Sequence, residues 1–134
     1  MINIVRKQQG FTVIEIIVVI VFLGAATVLL FMQKNSLAVS QRDDQRKVAI
    51  NAMYYSLEEV FYEKNGYYPP KIDSKVLRSV DPDLFTDPNG VKMGDTNADY
   101  RYDGQNCNAD QCKAYTLRAN LEREDDYVKT NRNK

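Results

Sequence analysis

Apolar residues crowd one end of this chain. Residues 11–32 read FTVIEIIVVIVFLGAATVLLFM, and Glu15 is their one ionisable side chain. At about 1.5 Å per residue such a helix spans about 33 Å, enough to cross a hydrocarbon core of about 30 Å. β-Branched residues are frequent here, but in lipid the backbone must satisfy its own hydrogen bonds, so helix overrides propensity. The rest of the chain is too short and polar to wrap these positions as a soluble core. The helical pattern then continues. No Pro or Gly lies between Gly24 and Gly66, and Ile50, Met53, Leu57 and Val60 follow 3-4-3 spacing with Tyr54 and Phe61 beside them. Asn65-Gly66 is a natural helix stop. The pattern predicts one helix over 11–64, with a membrane half (11–32) continued by an amphipathic half (33–65).

Residues 66–122 form the candidate globular head, and they hold all four Pro. A part this small has a marginal core alone and must cover the stripe from Ile50 to Phe61. GYYPP starts the return along the helix, with Tyr67 and Tyr68 packing there. In AYTLRANLE, Tyr115, Leu117, Ala119 and Leu121 alternate with Thr116, Arg118, Asn120 and Glu122. Tyr100 and Tyr102 alternate in a shorter run. The two strands bracket Cys107 and Cys112, giving an antiparallel hairpin whose loop a disulfide closes. The alternative is a free thiol pair, which lacks the nearby base a redox role needs. Residues 123–134, REDDYVKTNRNK, show no apolar periodicity and read as a polar tail. The fold class expected is α+β, a long N-terminal helix packed against a small antiparallel sheet.

Composition narrows function. Among 134 residues there is no His and no Trp, and 18 basic residues balance 18 acidic ones. Without His the commonest general base and metal ligand are missing, and two Cys cannot complete a structural zinc site. No catalytic constellation emerges, so an enzyme is not expected. A neutral chain has no global basic field for nucleic acid. Nine Tyr offer stacking surfaces, but Lys and Arg are interleaved with acids, so nucleic-acid binding is disfavoured. Arg42-Asp43-Asp44-Gln45-Arg46-Lys47 is a run of mixed sign. That run reads either as a solvated helix face or as ion pairing between subunits.

Basic residues flank the apolar segment on both sides, so counting them does not orient it. Glu15 gives a better handle. A carboxylate among apolar residues costs a few kcal/mol on insertion scales and is functional by default. It follows a short leader, MINIVRKQQG, at the abrupt polarity change QQG/FTVIE. Cleavage after Gly10 would give Phe11 a new α-ammonium, a natural partner for Glu15 on its own or a neighbouring chain. A conventional secretory signal over 1–26 fits poorly, because of Glu15 and because the apolar run continues to Met32.

The run GFTVIEIIVVIVFLGAA resembles the N-terminal signature of type IV pilins and of the pseudopilins of type II secretion, over roughly residues 1–65. The resemblance implies removal of leader 1–10 by a prepilin peptidase, N-methylation of Phe11, and an assembly role for Glu15. It differs at Met32, where many members carry Pro. Its implied function is a structural pilin subunit of a type IV pilus-like extracellular fibre, with a secretion pseudopilin or a DNA-uptake pilin as alternatives. Implied partners are further copies of this chain, the assembly platform and minor pilins. Implied localisation is the cytoplasmic membrane with the head outside, then the fibre at the cell surface. Disulfides persist outside the cytoplasm. No cofactor is expected. Calcium is a lesser candidate: Asp95, Asn97 and Asp99 are spaced like the start of a calcium loop, Asp87 and Asn89 could add oxygens, and some pseudopilins bind calcium in a comparable loop. The same residue types are the ordinary turn formers.

Overall fold

A computed structural model describes residues 10–132. Most of the expected leader (1–9) and the end of the expected tail (133–134) lie outside the described residues. The chain divides into two compact units, Met1–Leu37 and Ala38–Lys134. The helix expected from the apolar run is present as α1, Val13–Tyr55. It begins in the first unit, where its large apolar side chains are exposed: Ile14, Phe22 and Leu30 are 74%, 77% and 63% exposed. This stretch is long and apolar enough to cross a membrane.

In the second unit the helix becomes amphipathic, and the expected stripe holds at Ile50, Met53 and Leu57 but not at Val60. Ala49, Ile50, Met53 and Leu57 are buried, whereas Val60 is 50% exposed. After Tyr55 the backbone widens into a π-helical stretch, Ser56–Tyr62, before one last α-turn, α2, Glu63–Asn65. Widening to i→i+5 bonding rotates later positions backwards relative to an α-helix. Val60 therefore turns outward, while Ser56 and Glu58 turn inward and Phe61 and Tyr62 lie against the core. Gly66 ends the helix with φ 74°, a left-handed conformation that glycine adopts without a Cβ clash.

Three antiparallel strands complete the α+β fold: β1 (Tyr100–Asn108), β2 (Gln111–Ala119) and β3 (Tyr127–Thr130), in the order β1-β2-β3. The alternation read in the sequence holds for Tyr100, Tyr115, Leu117 and Ala119, which are buried against Ile50, Met53 and Leu57. Tyr102 packs partly buried beside them. Leu121 departs from it: β2 ends at Ala119, and Leu121 is only half-buried.

The polar tail is a correction. Four of its residues are β3, paired to β2 with Tyr127 opposite Ala119 and Lys129 opposite Leu117. A strand this short shows no periodicity, and what recruits it is the free edge of β2, whose N–H and C=O groups need partners. Tyr127 and Arg132 tie the segment to the helix: the Tyr127 hydroxyl donates to Asn51 Oδ1 at 3.0 Å, and Arg132 donates to the Tyr54 hydroxyl and pairs with Glu59. Further along the same edge Tyr68 takes over, exchanging two backbone hydrogen bonds of 2.9 Å with Cys112.

Candidate functional site

At the start of the first unit Gly10 and Phe11 are exposed, Phe11 at 80%. The sequence Thr12-Val13-Ile14-Glu15 forms a capping box. Glu15 N–H donates to Thr12 Oγ1 at 3.3 Å, and Glu15 Oε2 accepts from Thr12 N–H at 3.0 Å and from the Thr12 hydroxyl at 3.1 Å. Helix N-termini leave backbone donors unpaired, and the Thr-x-x-Glu pattern satisfies two of them reciprocally. Sequence reasoning cast Glu15 only as a partner for an amine and missed this, although the TVIE spacing carries the signal. The box uses the Thr12 amide, so it would persist after a cut between Gly10 and Phe11. No basic side chain lies within 4.0 Å of Glu15 among the described residues. Farther along α1, the Thr27 hydroxyl donates to the Leu23 carbonyl at 2.7 Å, so this polar group is satisfied within its own helix.

The mixed-sign run lies in the second unit, where Asp44 and Gln45 are exposed but Asp43 and Arg46 fit neither reading. Asp43 and Arg46 are 3% and 1% exposed, neither solvated nor available to another subunit. Arg46 Nη1 donates to Asp43 Oδ1 and to Glu122 Oε1, and its Nη2 donates to Asp99 Oδ2, each at 2.9 Å. Asp43 accepts the backbone N–H groups of Glu122 (2.9 Å) and Arg123 (3.1 Å). Arg42 grips Glu122 with two 2.7 Å hydrogen bonds, and Lys47 reaches Glu124 at 2.8 Å. One turn of α1 thus clasps the segment linking β2 to β3.

Electrostatics within the clasp follow from these contacts. Hydrogen bonds from Arg42, then Arg46, hold Glu122 down to about 2. For Asp43 burial opposes ionisation, but the two backbone N–H groups and Arg46 outweigh it and lower its pKa. Burial likewise works against charged Arg46, yet its hydrogen bonds to Glu122 and Asp43 raise its pKa. Asp99 moves the other way, raised first by burial and then by the neighbouring Asp87 carboxylate, against the pull of Arg46.

The calcium candidates are not gathered. Asp99 is engaged by Arg46, while Asp95 and Asn97 sit on an exposed turn, with Asp95 N–H donating to the Lys92 carbonyl at 3.1 Å. Asp87 Oδ1 closes its own turn, accepting from Asn89 N–H at 2.9 Å and Val91 N–H at 2.7 Å. Among the described residues no group of three or more His, Cys, Asp or Glu is arranged to hold a metal ion.

Cys107 and Cys112 form a disulfide. They occupy directly opposed positions on β1 and β2, so the bond is a rung of the hairpin, one pair short of the turn. Beneath them Gly104 lies so close that a Cβ there would stand 2.8 Å from Cys112 Sγ and 3.3 Å from Pro70 Cα. A further buried polar centre was not anticipated. Glu58, 5% exposed in the π-helical stretch, accepts hydrogen bonds from the Tyr115 hydroxyl (2.8 Å), the Tyr68 hydroxyl (3.1 Å) and Arg132 N–H (3.3 Å). Burial, then the Glu58 hydrogen bond, pushes the Tyr115 hydroxyl well above the usual phenol range. No family model, no curated protein and no solved structure matches this chain.

Proposed function

We propose that this chain is a structural pilin subunit, which polymerises into a type IV pilus-like extracellular fibre after removal of residues 1–10. The observation that carries the reading is Glu15, a lone carboxylate at the head of an apolar helix whose large side chains are exposed from Phe11 to Met32. Thr12 satisfies part of its hydrogen-bonding capacity, but among the described residues no basic side chain lies within 4.0 Å of it. In lipid an uncompensated carboxylate is costly, and pairing is what makes it tolerable. A Phe11 α-ammonium created by cleavage supplies the charge, and methylation preserves it. Losing Arg6 and Lys7 with the leader leaves the chain at net −2. Helix packing gives the fibre core its cohesion, and residues 66–132 form the sheath. The membrane half, 11–32, holds the subunit in the cytoplasmic membrane until the assembly platform extracts it.

Mass analysis of mature protein tests the first step: an N-terminal methylated Phe11 is expected, and a polymer whose subunits begin at Met1 would refute the reading. Glu15→Gln tests the second. Gln preserves a capping box but removes the charge. Processed subunits that fail to assemble are expected, whereas normal fibres would reduce Glu15 to a helix cap.

A further inference from the structure

One face of the sheet covers the helix; the other carries a pair of like charges. Directly opposed residues on antiparallel strands share a face, with Cβ atoms about 4.5–5.5 Å apart. Arg101 of β1 lies opposite Arg118 of β2, and Val128 of β3 follows in the same row. Their strand neighbours Tyr100, Leu117 and Ala119 are buried, so both arginines stand on the outer face. Like charges so placed disfavour the sheet. Arg118 is half-buried, and its Nε is enclosed without a hydrogen-bond acceptor. Packing therefore holds its guanidinium to the sheet and limits its swing away from Arg101.

Three other arginines are paired across the fold. Arg42, Arg46 and Arg132 each form an ion pair with a carboxylate of a distant segment. Among the described residues neither Arg101 nor Arg118 has a carboxylate within 4.0 Å. Asp103 shares their face one row away, opposite Thr116, and can offset only part of the doubled charge. Thr116 itself is engaged by Gln105, whose Nε2 donates to its hydroxyl at 2.8 Å.

We infer that Arg101 and Arg118 form a binding site for a phosphate-type oxyanion on the outer face of the sheet. A tetrahedral dianion can present one pair of oxygens to each guanidinium, neutralise both, and convert their repulsion into two charge-assisted contacts. A carboxylate, with one charge and two oxygens, satisfies one fork only. The site is open to solvent and Asp103 is near, so millimolar affinity is expected for a free ion. Nothing in this inference depends on polymerisation.

The test is a titration of the full-length chain in detergent micelles with inorganic phosphate at pH 7.5, ionic strength being held constant with sodium chloride. The readout is the Nε–Hε resonances of the arginines. Saturable shifts confined to Arg101 and Arg118 are expected. Arg101→Gln, an exposed change that leaves the buried face intact, should weaken the response of Arg118 at least tenfold. Arg118→Gln should do the same to Arg101. Shifts that chloride reproduces, shifts that rise without saturation, or titrations unaltered in both variants would each overturn the assignment.

Discussion

Asp43 and Glu122 lie 79 residues apart in sequence, yet the carboxylate of the first accepts the backbone N–H of the second at 2.9 Å. Arg46 bridges the same two residues from its single Nη1. An acid and a base from one turn of helix thereby fix where the chain leaves β2 and turns back to add β3.

The clasp should fail unevenly. Removing Arg46 strands the nearly buried Asp43 carboxylate, a loss on the order of 3–5 kcal/mol for a buried network. Arg42→Ala removes a partner at the surface, where ion pairs are worth about 0–1 kcal/mol. Thermal unfolding of the two variants should show a far lower Tm for Arg46→Ala. Arg46→Lys should rescue little, because one ammonium cannot reproduce the three-acceptor fork. Equal Tm values for Arg46→Ala and Arg42→Ala would show that the clasp does not hold the fold.

Acid should expose the clasp through its two kinds of carboxylate. Glu122, depressed from 4.5 to about 2, and Asp43, depressed below 3.8, bind protons less readily folded than unfolded. Their stabilisation is complete above about pH 4.5 and is lost as pH falls toward about 2. Asp99 is raised above 3.8, so its protonation favours the folded state and its contribution grows as pH falls to that value. With no His in the chain, Tm should hold or rise slightly from pH 7 to about 4.5, then drop. A steady decline from pH 7 to 5 would contradict this assignment.

Buried Glu58 makes Tyr115 more than an apolar wedge. Tyr115→Phe keeps the ring but removes the shortest hydrogen bond to an enclosed carboxylate, which should cost about 1–3 kcal/mol. Tyr102→Phe is the comparison, since its hydroxyl donates to the Pro69 carbonyl at 2.6 Å rather than to a charge. Denaturant unfolding should find the first variant the less stable. The reverse order would mean that Glu58 is satisfied without Tyr115.

Gly104→Ala should destabilise through contact, not backbone conformation. The added methyl meets Cys112 Sγ and Pro70 Cα, and overpacking of this kind costs about 1–3 kcal/mol. Replacing both cysteines by Ala removes the sulfur and should shrink that penalty, although it forfeits about 2 kcal/mol of loop-closure stabilisation. A double-mutant cycle on unfolding free energies measures the coupling. Additive effects would show that the sulfur and the glycine do not constrain each other.

Elements with a long or strict period were legible in the sequence. The apolar run became helix, Gly66 ended it, and Tyr115, Leu117 and Ala119 pointed inward, because burying one face imposes a repeat that survives in the linear chain. The phase slip that exposed Val60 was not legible, since no residue type marks a π-helical turn. Nor was β3, four residues that acquire meaning only beside an open strand edge. The TVIE cap was legible in principle but was overshadowed by the charge of its Glu.

What the sequence alone determined is where apolar surface must be hidden, and therefore the helix, the hairpin and the isolation of Glu15. Tertiary structure alone decided how the charges are spent. Whether Arg46 meets solvent or three carboxylates, and whether Arg101 and Arg118 meet an acid or each other, depends on segments brought together from far along the chain. Hydrophobic burial is a property each residue carries with it; an ion pair exists only between two places, and folding chooses the second.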